Sequence, residues 1–574
     1  MDAHPEPTPG HLRRVLAALS GLMFTLFVMG LAAAFKEFAV QDWDGQGSGW
    51  LKLQYWAQQT PWKEGVAGGV AALVAALVLQ RLTLVRWATN FFGSARGLIV
   101  CATLAIFPCV AATLSRPGVI PGAPNVLFVL VDTVRADHVS FLGYERETWP
   151  ELGRLAESGA VFERALTQAP WTKPTVATLF TSLVPSKHGA MSHMPMESGR
   201  RFVAMGREHR TLAESLAANG WETAAVAHNA NIQPVYGFGQ GFDDFHFVED
   251  WNLRAPTMIN VARDWIEDRD GDRPWFMYLH LTDPHYPYDA PPAPDGPGGK
   301  WDKSGSDFVL NYEVIKGFHD GEWEPTAELR QHLYDAYDEE LLYTDQQLAP
   351  FVEQVMKEHP NTVVVLVGDH GDELWEHDSL GHGHVVYDEL VHVPLVIWGA
   401  YALTAEKTTL PGCRISGQVR LLDVSPTLLD LCGVSDPATG AYMGESLLPM
   451  ISNYPTRHLP APFETGGDGE PPWQLRGISA QHDGQLWKLI RQEHDFRHQE
   501  VGFKLFNLST DKLELDDVAA ANPEVVQALF SLMQARGWYT KPEDLVGELF
   551  NADQVDSSTL QNLHDIGYGD FDDE

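Results

Sequence analysis

The sequence predicts an α/β fold: a mostly parallel sheet between helices, preceded by N-terminal transmembrane helices and followed by a small C-terminal α+β subdomain. Three observations carry this prediction. Continuous apolar runs at 126–131, 275–281 and 362–367 have the length and composition of strands buried on both faces. Helical patterns at 150–159, 211–220 and 335–356 alternate with strand-like segments. Residues 1–116 instead hold three uncharged apolar runs, 15–35, 65–79 and 97–114.

The first of those runs is long enough to cross a bilayer, which needs roughly 17–25 residues, and the other two are shorter but carry no charge. Arg13 and Arg14 precede the first run, and Arg81, Arg86 and Arg96 lie between the second and third. Positive charge stays on the cytoplasmic side, so the N-terminus and the second loop are placed inside. The first loop, with Trp43, Trp50, Trp56 and Trp62, suits the outer interface. Everything after about Arg116 is then extracytoplasmic, on a multi-pass protein of the cell membrane. A cleaved signal peptide would account for the first run alone, not for three.

A Pro/Gly linker at 117–124 leads into the first strand, 126–131. The helix at 150–159 ends at Gly159, and the helix at 211–220 is followed by a strand at 223–227. Residues 291–307 are rich in Pro and Gly and read as a loop bordering the site. A second Gly/Pro-rich segment at 466–472 marks a boundary, after which 477–480, 486–491 and 503–508 alternate as short strands of an antiparallel sheet. The expected domains are therefore a membrane region (1–116), a catalytic domain (124–465), a C-terminal subdomain (474–540) and an acidic tail (541–574).

With 77 Asp and Glu against 40 Lys and Arg, the net charge is −37. That excludes nucleic acid as an expected partner, because phosphate backbones need a basic surface. The four cysteines form neither a disulfide framework nor a zinc-ligand spacing. A Cys413–Cys432 bridge is open to an oxidising compartment, but Cys432 in LLDLCGV reads more simply as core.

Ligands of open α/β sheets gather at the carboxyl ends of strands. Asp132 follows the first strand, Asp283 and His285 (LTDPHYPY) follow another, and Asp369 and His370 (GDHGDE) a third. Carboxylate oxygen and imidazole nitrogen suit a divalent metal, and zinc, manganese and calcium all remain open, as one or two ions. Each pair alone is also common as a helix cap or as surface polarity. The other histidines read as packing or surface residues (His188, His377, His392), with His228 evenly balanced. Tyr286 and Tyr288 fit either the pocket or its rim.

The series PNVLFVLVDTVRADH, APWTKPTVATLFTSLVPSKHG, TLAESLAANGWETAAVAHNANI, GFGQGFDDF, VVVLVGDHGDELWEH, GHGHVVYDELVHVPLVIWG, VRLLDVSPTLLDLCGV and KLFNLSTDKLELDDV resembles, in order, the sulfatase branch of the alkaline phosphatase superfamily, from about 124 to 539. The resemblance implies that fold, with Asp132, Asp369 and His370 as metal ligands. It places Thr172 at the nucleophile, its hydroxyl on the metal. It gives His285 a substrate contact and a proton-donor role. His384, and less so His382, falls near a lysine that in sulfatases binds the transferred group. In two-metal relatives Asp283, His285 and His384 would form a second metal site.

Two departures shape the functional reading. Thr133 stands where sulfatases carry the second acid of an Asp-Asp pair. The formylglycine motif needs Cys or Ser, then Pro two residues on and Arg four residues on, whereas this chain has Thr172, Pro174 and Val176. Threonine cannot become formylglycine. Relatives with Thr here, among them nucleotide phosphodiesterases, phosphoethanolamine transferases and lipoteichoic-acid synthases, form a phosphothreonine. The expectation is a membrane-anchored, metal-dependent hydrolase or transferase of phosphate esters or diesters, its substrate ester carried on a lipid headgroup or glycan. The alternatives are a sulfuric ester hydrolase working without formylglycine, and a non-catalytic binding protein on the same fold.

Overall fold

The computed structural model describes residues 122–191, 201–248, 253–291 without 270 and 272, 310–399, 412–452, 457–467, 473–492, 502–538 and 548–551, besides 120, 300, 301 and 308. The chain divides into two compact units, Met1–Arg116 and Pro117–Glu574. The three expected spans, most of the 291–307 loop and all of the acidic tail but 548–551 lie outside the described residues. Among the described residues no helix is long and apolar enough to cross a membrane.

The second unit is built in chain order from β1 (Asn125–Val131), α1 (Pro150–Ala156), β2 (Ala160–Leu166), α2 (Thr172–Thr181), α3 (Leu212–Ala218), β3 (Glu222–Ala227) and β4 (Asp244–Phe247). There follow α4 (Ala255–Glu267), β5 (Trp275–Leu281), α5 (Ala327–Glu358), β6 (Thr362–Gly368), β7 (His392–Trp398), β8 (Cys413–Arg420) and α6 (Val424–Leu431). The eight strands form one sheet in the order β8-β2-β7-β6-β1-β5-β3-β4. β1 runs parallel to both β5 and β6, β3 is parallel to β5 and β4, and β8 to β2; only β7 is antiparallel to its neighbours in this sheet.

The apolar runs form strands because both faces are covered. Val126, Phe128 and Leu130 join one core with Val176, Leu179 and Phe180 of α2, Leu212 and Leu216 of α3, and Val424 and Leu428 of α6. Leu127, Val129 and Val131 join the other with Leu152 of α1, Met258 and Ile259 of α4, and Leu341, Leu348 and Val352 of α5. Each such side chain, fully buried, contributes about 1.5–3 kcal/mol relative to exposure. The helix read at 335–356 is longer than its periodicity suggested, starting at Ala327 after a Thr326 side-chain cap. The one at 211–220 begins with a capping box in which Thr211 and Glu214 satisfy each other's backbone amides.

The C-terminal part is a four-stranded antiparallel sheet of β9 (Ala461–Gly467), β10 (Trp473–His482), β11 (Gln485–Gln492) and β12 (Gly502–Asn507). Helix α7 (Pro523–Ala535) lies against it through Val525, Leu529 and Met533. β9 was not visible as a strand in the sequence, since it runs into the Gly-rich segment that reads as a boundary. Cys413 and Cys432 are both free thiols, Cys432 buried in the core.

Candidate active site

Register explains how residues far apart in sequence meet. In the parallel pairs Val131 lies opposite Gly368 of β6 and Leu281 of β5. The next residues, Asp132, Asp369 and Thr282, therefore leave three adjacent strands at the same level. Thr172 arrives from the other side as the first residue of α2, beyond β2, with every residue of that helix buried. The turn after β6 requires Gly371, where a Cβ would stand 1.9 Å from the Glu389 carbonyl oxygen.

Asp132, Asp369 and His370 are fully buried, and one ligand atom from each lies within 4.8 Å of the others. His370 Nδ1 donates to the Gly371 carbonyl at 2.8 Å, so its Nε2 carries the lone pair. That lone pair is 3.4 Å from Asp132 Oδ1 and 3.5 Å from Asp369 Oδ2. Burial, with His382 beside it, pushes the imidazole down to about 3, so it supplies no positive charge. Burial and the Asp132 charge hold Asp369 well above the carboxylate range; Asp132 is held low despite its burial, chiefly by the His280 hydrogen bond. Asp369 Oδ2 has no hydrogen-bond partner. Two carboxylates and an imidazole nitrogen thus converge on one point, with Asp369 held protonated unless a positive charge joins it, which fits a divalent cation.

Thr172 Oγ1 faces that point, 3.3 Å from His370 Nε2 and 3.4 Å from Asp132 Oδ2. Three residues that the sequence did not single out, or ranked lower, complete the surroundings. Asn229 donates from Nδ2 to Asp132 Oδ2 at 2.8 Å and lies 3.5 Å from Thr172 Oγ1; its Oδ1 accepts the Asn231 amide, which fixes the side chain's orientation. His280 Nε2 meets Asp132 Oδ2 at 3.1 Å while Tyr278 holds its Nδ1. His382 bonds to Asp372 through Nδ1 at 3.0 Å, and its ring lies 4.5 Å from that of His370 and 5.0 Å from that of His285. Only strand parity could have pointed to His280, which lies in an apolar run two residues before the strand-end Thr282.

His285 is buried, with Nδ1 on the Tyr286 carbonyl, and burial lowers its pKa. His384, expected in the site, is instead bonded to Glu373 and Ser379 at 2.7 and 2.6 Å. Between the two histidines, the tertiary structure brings His382 rather than His384 against His370. Asp283 lies apart from the Asp132–Asp369–His370 cluster, its Oδ1 accepting the Ala255 amide at the start of α4 (3.0 Å). His228 bonds to Thr282, Tyr288 to Asp372, His188 to Thr178 and His392 to the Glu163 carbonyl.

A mostly parallel sheet with an acid–imidazole cluster and a hydroxyl at its strand ends defines a metal-dependent hydrolase architecture. The family profile described as Sulfatase matches residues 124–434, and the chain belongs to the sulfatase family, metal-dependent enzymes that hydrolyse ester bonds. It is 23% identical to arylsulfatase K of Xenopus laevis over 445 residues, covering 66% of this chain and 76% of that protein. Among solved structures it is similar to the phosphonate monoester hydrolase of Agrobacterium radiobacter (18% identity, TM-score 0.55, 74% of this chain and 99% of the other). It is equally similar to a protein solved with its substrate D-glucosamine-2-N,6-O-disulfate (18% identity, TM-score 0.55, 74% and 99%).

Proposed function

We propose that this chain is a membrane-anchored, metal-dependent hydrolase or transferase that opens phosphate esters or diesters through Thr172. The observation that carries the reading is the Thr172 hydroxyl at the convergence of His370 Nε2 and Asp132 Oδ2, in a chain that lacks the Cys or Ser needed for formylglycine. Asp132, Asp369 and His370 would hold a divalent ion such as zinc, manganese or calcium, which when bound supplies Lewis acidity and lowers the pKa of a coordinated hydroxyl. Asp132 and His370 orient the Thr172 hydroxyl. Asn229 Nδ2 points a fixed donor at the same oxygen and stabilises negative charge that develops there. His285, kept neutral by burial, and the neighbouring His382 are placed to pass the proton between leaving and entering oxygens. The step joins Thr172 Oγ to phosphorus and breaks the ester P–O bond; water or an acceptor alcohol then releases the threonine. The membrane anchor rests on the three apolar runs of residues 1–116, which would put the catalytic unit outside the cytoplasm and near lipid headgroup or glycan esters.

A second reading, cleavage of sulfate esters by the same hydroxyl, is favoured by the arylsulfatase relatives. Both are tested with matched aryl phosphodiester, aryl phosphate and aryl sulfate substrates under metal supplementation. Thr172→Ala is expected to lower kcat by about 10³-fold or more on the preferred substrate, and mass spectrometry of the quenched wild-type enzyme to find phosphate on Thr172. Undiminished turnover by the alanine variant would remove Thr172 from the mechanism. A sulfate preference with no phosphothreonine would favour the second reading.

A further inference from the structure

Beside the proposed active site lies a cavity of about 90 Å³, lined by Arg254, Thr282, Asp283, His285, Tyr286 and Asp289 among others. His285 belongs to both, so the cavity adjoins the place where the ester would bind. Asp283 is 4% exposed. Its Oδ1 is committed to the Ala255 amide, but its Oδ2 is buried with no hydrogen-bond partner. A carboxylate oxygen in that state is costly unless something fills the space before it.

The neighbouring cation does not supply the missing partner. Arg254 is spent on two other acids, with Nη1 on Glu340 Oε2 at 2.9 Å and Nη2 on the carboxylate and carbonyl of Asp289. Three acidic side chains (Asp283, Asp289, Glu340) thus share one guanidinium, and burial holds Glu340 well above the carboxylate range. Burial, only partly offset by the Ala255 amide and Arg254, raises Asp283 to about 6, the behaviour of an acid whose charge is not compensated from within the protein.

We infer that this cavity is a substrate subsite for an ammonium group carried on the ester's alcohol, with Asp283 Oδ2 as its acceptor. A cavity of about 90 Å³ suits the end of an aminoalkyl chain. The inference rests on the ester reading of the Thr172 site and adds to it the chemical class of the substituent. It also gives Asp283 a role other than the metal ligation expected from sequence.

The test is calorimetric binding to the full-length, metal-loaded protein in detergent, which needs no turnover. Aminoethyl and aminobutyl phosphate are compared with ethyl, butyl and hydroxyethyl phosphate. The aminoalkyl phosphates should bind about tenfold more tightly than their alkyl partners, as a buried charge-assisted hydrogen bond implies. In Asp283→Asn, which keeps an acceptor for the Ala255 amide, that ratio should fall to near one. Asp289→Asn, at a more exposed carboxylate, should narrow the ratio in the same direction and serves if the first variant does not fold. Equal binding of amino and plain alkyl phosphates by the wild type, or a ratio unchanged in the variants, overturns the subsite while leaving the ester site standing. Hydroxyethyl phosphate matching aminoethyl phosphate overturns the ammonium assignment. Failure of every alkyl phosphate to bind overturns the phosphate-ester reading, and the subsite falls with it.

Discussion

Thr133 has φ 59°, a left-handed backbone that a β-branched residue rarely adopts and that costs on the order of 1–3 kcal/mol. The return on that strain is visible in its bonds. Its amide donates to Asp369 Oδ1 at 2.9 Å and its hydroxyl to Asp132 Oδ1 at 2.8 Å. Where sulfatases carry a second acid, this chain has a brace between the two remaining acids. Removing one of them should therefore empty the centre without unfolding the domain. Asp369→Asn is expected to lower bound divalent metal from about one ion per chain to a small fraction of that, read by elemental analysis after gentle purification, with an unchanged far-UV CD spectrum. Metal retained at the wild-type level would place the ion elsewhere. Asp132, Thr172, Asp369 and His370 were legible because strand ends and family spacing mark them. Asn229, His280 and the choice of His382 over His384 were not, because each depends on a side-chain direction set by loops that meet only in the folded chain.

At the scale of elements, the strands buried on both faces were legible as apolar runs, and their helical partners as periodic segments. The direction of β7 was not. A strand covered on both faces carries the same apolar pattern whether it runs parallel or antiparallel, so only the path of the 369–391 loop decides it. That loop also ties the large sheet to the small one. His377 stacks on Tyr387 at 3.7 Å, bonds Glu389 at 2.5 Å through Nδ1, and meets the Leu513 carbonyl through Nε2 at 3.1 Å. Burial alone would lower this histidine's pKa, but the Glu389 bond and charge outweigh it and raise it to about 9. A cation pKa raised by folding stabilises the folded state fully below the ordinary histidine value of 6.5 and loses that contribution as pH rises through about 9. The thermal midpoint should accordingly decline between pH 7 and 10 more steeply in the wild type than in His377→Gln, which should start lower at pH 7. Parallel curves for the two proteins would remove His377 as a pH-sensitive tie.

For the whole molecule, the division at Arg116/Pro117 gives the membrane proposal a direct test. The full chain is expected to sediment with membranes and resist carbonate extraction. A chain starting at Pro117 should be recovered in the soluble fraction with its metal content and its aryl-ester turnover within about twofold of the full chain, since the second unit has both of its helix-covered cores within itself. A truncated chain that still pelleted with membranes would show that the apolar runs are not what holds it there.

Composition, order of motifs and hydrophobic period were enough to determine the family, the layered α/β core and the principal acids, because each is a local property of the chain or a sum over it. The hydrogen bonds by which Thr133 braces Asp132 and Asp369, the seat of Asp283 at a helix start with one oxygen left over, and the placing of His382 in the site were decided by tertiary structure alone. Register between strands, and the turns that follow them, set which atoms of distant residues face one another. No pattern along the sequence encodes that direction until the sheet has closed.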